Sequence, residues 1–263
     1  MTSWLTSHLP TWALALFIIG GLTLISVLGC LVARRRFPAL TEGIYNDLSG
    51  ILVGVFAAIY GVLLAFVIVI LWENRGTASN AVNDEAAALS QVVQDSQGLP
   101  KAPGDAVAQS VGAYVHAVVT DEWPKLAHGM PSAQATTALA GLHATLRAEG
   151  SHVDSSNIYF SDAVTSFNQA STSRRARLAA SESGLPPLFM ILIVIGAFVF
   201  VPLTYLFGIR AVRAQLLFVG VCAAMIAVGL FLTVVLNRPF AGAVGLDPGA
   251  FQQGTLAQFW GAG

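Results

Sequence analysis

Four stretches of the chain, residues 12–33, 51–72, 188–209 and 216–236, run apolar without a single Asp, Glu, Lys or Arg. A helix needs about 20 such residues to cross the hydrocarbon core of a bilayer. Open strands there would leave backbone groups unpaired, so the four stretches predict transmembrane helices.

Between the second and third, the pattern changes from continuous to periodic. Ala78, Val82, Ala86, Leu89 and Val93 recur at threes and fours, as one face of a helix requires. Val107, Val111, Tyr114 and Val118 predict a second helix ended by Pro124, and Leu139, Leu142 and Leu146 a third, started by Pro131-Ser132 and closed by Gly150. Phe160, Val164 and Phe167 begin a fourth that reaches Leu178 and stops before Gly184-Leu185-Pro186-Pro187. No proline falls between Pro38 and Pro100, so the second span is expected to continue as one helix from Ser49 to Gln97.

The fold class that follows is an all-α membrane protein. A transmembrane hairpin fills residues 1–72, and a water-exposed antiparallel helical bundle, 73–185, is inserted between helices two and three. A second hairpin, 186–237, and a tail, 238–263, complete the chain.

Within the second span, Gly50, Gly54, Ala57, Ala58, Gly61 and Ala65 share about a third of the circumference, and only Ile68 intrudes on that arc. Small residues at this spacing let membrane helices approach closely, so the arc is expected to be a helix-packing surface. Phe56, Tyr60, Leu63 and Val67 form a bulkier face. In a channel that face would turn to the central axis as a dewetting constriction; in any other protein it meets lipid or a neighbouring span.

Composition agrees with a chain largely in lipid: 55% of residues are hydrophobic, 10% are charged and the net charge is -1. No basic field points to nucleic acid. The stretch 73–185 is mildly acidic, with 11 acidic against 7 basic residues. Cys30 and Cys222 both lie in apolar runs, which leaves the polar stretch without disulfides.

Charge also orients the chain. Residues 1–11 carry no Lys or Arg, whereas Arg34, Arg35 and Arg36 follow the first span and Arg210 and Arg213 lie between the third and fourth. That order is unlike a cleaved signal peptide, and it places both short loops in the cytoplasm. The termini and the middle domain are then extracytoplasmic. Arg174, Arg175 and Arg177, just before the third span, pull the other way.

Candidate chemistry is sparse. No nucleophile elbow, zincin, P-loop or dinucleotide motif is present, so neither an enzyme nor a cofactor is expected. His116, His128, His143 and His152 lack ligand spacing, and no metal site is predicted. The pair Asp121-Glu122 reads as solvated carboxylates at a helix end. Glu85, beside the apolar face of the first polar helix, is expected to form a structural ion pair with Arg174 or Arg177. No ionisable group interrupts a span, which argues against proton-coupled transport.

Several motifs, in order, resemble the bestrophin-like domain family of bacterial membrane proteins. They are Asn46; Tyr60-Gly61-Val62-Leu63-Leu64-Ala65-Phe66-Val67 with Trp72; Glu85-Ala86-Ala87-Ala88-Leu89; and Tyr114. Further on come Glu122-Trp123-Pro124, Arg174, Arg175 with Arg177-Leu178, Leu185-Pro186-Pro187, and Leu236-Asn237-Arg238-Pro239-Phe240-Ala241-Gly242. Asn237 departs from the Asp that the resemblance leads one to expect.

The resemblance implies distant kinship with bestrophins, which are pentameric, calcium-gated anion channels with a cytoplasmic middle domain. Their calcium clasp needs a run of acids after an Asn-Pro-Phe motif, and only Asp247 follows Phe240 here, so calcium gating is not expected. Two functions follow: a homo-oligomeric channel in the lipid bilayer, with inorganic anions as its partners, or a non-conducting envelope sensor or scaffold whose outer bundle binds a partner.

Overall fold

The computed structural model describes residues 11–38, 43, 46–154, 157–242 and 244–261. Among them every regular element is helical, and four helices are long and apolar enough to span a membrane. The chain divides into two compact units, one of residues through Glu73 with Gly184–Asn237, the other of Asn74–Ser183 with the segment from Arg238.

In the membrane unit, α1 (Trp12–Arg36) contains a π-helical turn over Leu16–Gly20 and ends on its three arginines. Cations suit the carbonyl end of a helix. Helix α2 (Asn46–Ser96) is unbroken and belongs to the membrane unit through Glu73, as the lack of proline in that stretch allows. The third and fourth spans are α7 (Pro187–Tyr205) and α8 (Val212–Leu236). Apolarity carries on to Ile209, but the helix stops at Tyr205 because other groups take the following carbonyls. The Gln215 amide donates to the Phe207 carbonyl at 2.7 Å, Asn46 Nδ2 to that of Gly208 at 3.2 Å, and Arg34 to that of Ile209 at 2.7 Å.

Large side chains in this unit sit over glycines. The Tyr60 ring lies where a Cβ on Gly196 would stand, 2.3 Å from its Cε2, and Leu64 lies 3.1 Å from the equivalent point on Gly229. Tyr60 stacks on Phe200 with centroids 6.4 Å apart, and its hydroxyl donates to the Ile193 carbonyl at 2.8 Å.

The polar unit holds the remainder of α2 and α3 (Lys101–Ala117), a π-helical turn (Val118–Glu122), and α4 (Trp123–Leu126). Helices α5 (Ala133–Glu149) and α6 (Ile158–Glu182) complete its bundle. Both are capped in the way the sequence allows. Ser132 Oγ accepts from the Ala135 amide at 3.0 Å, and Asn157 Oδ1 from that of Phe160 at 3.2 Å.

Pro124 does not end a helix as expected. It occupies the first turn of α4, where an amide hydrogen is not needed, after the wider π turn has re-aimed the chain. The segment beyond the fourth span packs into this unit, burying Phe240, Phe251 and Leu256 in the core with Leu89, Val111 and Leu142. Trp123 Nε1 donates to the Leu246 carbonyl at 3.1 Å and helps hold it there.

Candidate functional site

In the membrane unit the informative element is α2, because its two notable arcs meet different surroundings. Val53, Tyr60, Leu64, Val67 and Leu71 are buried against α7 and α8. Of the bulky face, Tyr60 and Val67 are therefore interior, while Phe56 and Leu63 are half-buried at its edge. Those two line an apolar groove between α2 and α7, floored by Gly196 and Tyr60. Beside the packed face, Gly54, Ala57, Ala58, Gly61 and Ala65 are all exposed, and only Gly50 is half-covered. A Cβ on Gly54 or Gly61 would meet nothing within 4 Å, whereas one on Gly196 would overlap a ring. From Gly54 to Ala65 the small-residue arc is thus left uncovered by the described residues.

The polar unit is organised around buried charge. Four positions on apolar faces carry ionic groups: Glu85 on α2, Glu122 at the end of the π turn, and Arg174 and Arg177 on α6. Arg177 makes the fork with Glu85, Nε to Oε2 at 2.7 Å and Nη2 to Oε1 at 3.1 Å, and Nη2 also reaches Glu122 Oε2 at 2.7 Å. Arg174 lies on Glu122 instead, at 2.6 Å, and on Thr136 Oγ1 at 3.0 Å. The Tyr114 hydroxyl donates to Glu85 Oε1 at 2.5 Å. Two carboxylates thus face two guanidiniums, and the group is neutral as a whole.

Among the described residues, Arg177 Nη1 has no hydrogen-bond acceptor. The guanidinium carbon lies 5.7 Å from the Trp123 ring centre and 5.8 Å from that of Phe251, so aromatic faces take the place of an acceptor. The chain beyond the fourth span thereby closes over the cluster.

Protonation follows from this geometry. Burial alone would raise the Glu122 carboxyl, but Arg177 and Arg174 outweigh it and hold it below the usual carboxylate range. Burial, reinforced by the Glu85 charge, pushes the Tyr114 hydroxyl well above the usual phenol range. Burial would also weaken the Arg177 proton, yet Glu85, Tyr114 and Glu122 hold it more firmly than in water.

Glu122 corrects the reading of Asp121-Glu122 as a solvated pair. Only Asp121 is near the surface, where it accepts from Lys125 at 2.7 Å and from the Ser132 hydroxyl, and these bonds lower its pKa. The signal was present in the sequence: Glu122 continues the face of Val111, Tyr114 and Val118 by one further step of four.

Other candidates take up structural contacts. His116 Nε2 lies 2.8 Å from the Phe259 carbonyl, and the His143 ring stacks on Phe167. Asp247 Oδ1 accepts from the Gly249 amide at 2.7 Å within a turn. Among the described residues no three His, Cys, Asp or Glu side chains come together as metal ligands. Asn237 Oδ1 accepts from the Leu185 amide at 2.6 Å. An acceptor oxygen meets that need with or without a charge, which explains how Asn serves where Asp was expected.

The model of a family described as "Bestrophin-like domain" matches residues 20–251. No curated protein matches the chain. Among solved structures, one mutant of a bacterial Bestrophin homolog from Klebsiella pneumoniae superposes with a TM-score of 0.67 at 14% identity, covering 92% of this chain and 96% of that one. A second mutant of the Klebsiella pneumoniae protein gives 0.68 at 12% identity, covering 92% and 99%. A variant of a protein described only as a membrane protein gives 0.65 at 13%, covering 92% and 95%. At such identities the likeness is one of fold.

Proposed function

Because the chain belongs to the bestrophin-like domain family, we propose that it is a homo-oligomeric ion channel of the cell membrane whose permeant species are anions. The observation that supports this reading is the uncovered arc Gly54, Ala57, Ala58, Gly61 and Ala65 on α2. Lipid gains nothing from small residues, whereas a second copy of the helix gains close backbone approach. Copies joined along this arc bring their second spans together around one axis. Phe56 and Leu63, at the edge of the packed face, are the bulky candidates left to narrow a path there, since Tyr60 and Val67 are occupied inside the chain.

Single-channel recording from purified protein in planar bilayers tests the reading. Under a potassium chloride gradient, currents are expected to reverse near the chloride equilibrium potential. Reversal near the potassium potential would remove anion selectivity. Silence at every voltage would leave the non-conducting envelope protein as the better description.

The proposed orientation places the loops carrying Arg34–Arg36 and Arg210 with Arg213 in the cytoplasm, and the polar unit outside. Gln94 is exposed in that unit. Thr41 lies in the first loop, outside the described residues. In a background with Cys30 and Cys222 replaced by serine, Gln94→Cys is expected to react with a membrane-impermeant maleimide in intact cells, and Thr41→Cys is not. The reverse pattern would place the polar unit in the cytoplasm.

A further inference from the structure

At one end of the membrane unit, hydrogen bonds tie three separate pieces of chain together. Arg34, in the last turn of α1, sends Nη1 to the Ile209 carbonyl at 2.7 Å and to Gln215 Oε1, and Nη2 to the Arg210 carbonyl at 3.4 Å. Asn46, which opens α2, accepts from the Gly208 amide at 2.8 Å and donates to the carbonyl of that residue. Gln215, buried, holds the Phe207 carbonyl. The end of α1, the start of α2 and the turn between α7 and α8 are therefore one assembly.

That assembly gathers positive charge. Arg35 and Arg36 follow the anchored Arg34, and Arg210 and Arg213 flank the turn it grips. All four are exposed, and none of their guanidiniums makes a hydrogen bond or ion pair among the described residues. Arg34 itself is satisfied by neutral acceptors, so its charge also stays uncompensated. The acids of these loops are Asp47, exposed in the first turn of α2, and Glu42, outside the described residues. Five cations against two anions leave a net positive rim.

The position of the rim identifies its ligand. It lies at the ends of all four spans, which is the depth of lipid headgroups rather than of the hydrocarbon or bulk water. Guanidinium forks suit phosphate oxygens, and clustered arginines beside a span attract anionic lipid. We propose that this arginine rim binds the headgroup phosphates of anionic phospholipids, holding them as bound lipids of the membrane unit. Arg34 acts as the anchor that fixes the geometry, while Arg35, Arg36, Arg210 and Arg213 make the contacts.

Native mass spectrometry of the full chain in detergent, where orientation plays no part, tests the proposal by titration with phosphatidylglycerol and with phosphatidylcholine. Wild type is expected to retain phosphatidylglycerol in preference. The fourfold variant Arg35→Gln, Arg36→Gln, Arg210→Gln, Arg213→Gln is expected to retain it at least about tenfold more weakly, with phosphatidylcholine unchanged. Replacing the same four by lysine is expected to restore most of the retention. If the fourfold glutamine variant does not fold, the two halves, Arg35→Gln with Arg36→Gln and Arg210→Gln with Arg213→Gln, are each expected to weaken retention. Equal phosphatidylglycerol retention by wild type and glutamine variants overturns the proposal, as does equal retention of the two lipids by wild type. Displacement of the lipid by excess inorganic phosphate assigns the rim to free phosphate instead and overturns it too.

Discussion

Arg177→Ala is expected to destabilise the polar unit by about 3–5 kcal/mol, because it leaves buried charge without a partner. Both Glu85 and Glu122 lose a guanidinium, and the two carboxylates are then left buried with only Tyr114, Arg174 and the Ser132 amide as donors. Arg177→Met should rescue little, since it fills volume without supplying charge. The double replacement Arg177→Met, Glu85→Gln removes one charge of each sign, leaves Arg174 paired with Glu122, and is expected to recover much of the loss. Chemical unfolding of the full chain in detergent reads all three. In a double-mutant cycle Arg177→Ala and Glu85→Ala should be strongly coupled, and Arg174→Ala with Glu85→Ala much less, because Arg174 rests on Glu122. Additivity of the first pair within about 0.5 kcal/mol would remove the cluster from the account of stability.

The same cluster gives stability a pH window. Glu122 has a lowered pKa in the folded chain, so its contribution is complete above the ordinary carboxylate value and is lost as pH falls through the lowered one. Tyr114 has a raised pKa, so its contribution is complete below the ordinary phenol value of about 10 and is lost as pH rises beyond it. Glu122→Gln should flatten the acid limb and Tyr114→Phe the alkaline one.

What the sequence made legible is what the solvent imposes on composition. Lipid tolerates only long charge-free runs, so the four spans and the all-helical fold can be read directly, and the absence of proline is enough for the length of α2. The end of α7 was hidden because Leu206-Phe207-Gly208-Ile209 is as apolar as the helix before it. The turn is set by Gln215, Asn46 and Arg34, which take the carbonyls from elsewhere in the chain. Pro124 misled because a π turn ahead of a proline leaves no trace in periodicity. Glu122 was readable by its spacing and was obscured by Asp121, whose neighbouring charge made the pair look like surface.

On α2 both arcs are apolar, so hydropathy cannot tell which one the chain itself covers. Glycines far away in sequence decide it: Gly196 and Gly229 open the space that Tyr60 and Leu64 fill. This contrast yields a pair of opposite expectations. In Gly196→Ala the new Cβ stands 2.3 Å from Tyr60 Cε2 and 2.6 Å from Cδ2. The ring has little freedom to move, being stacked on Phe200 and held by its hydroxyl on the Ile193 carbonyl. Relief therefore breaks a buried hydrogen bond or parts α2 from α7. Overpacking of this kind costs about 1–3 kcal/mol, to which the stranded hydroxyl adds. Thermal unfolding in detergent should show Gly196→Ala clearly below wild type. Gly61→Leu, a far larger change, places its Cβ at an exposed position with nothing described within 4 Å and should leave the unfolding of the separate chain unchanged. Its expected effect is on assembly: light scattering in mild detergent should show the oligomer reduced to single chains, with loss of any conductance. An intact oligomer in Gly61→Leu would assign the arc to lipid and move the contact between copies to another face.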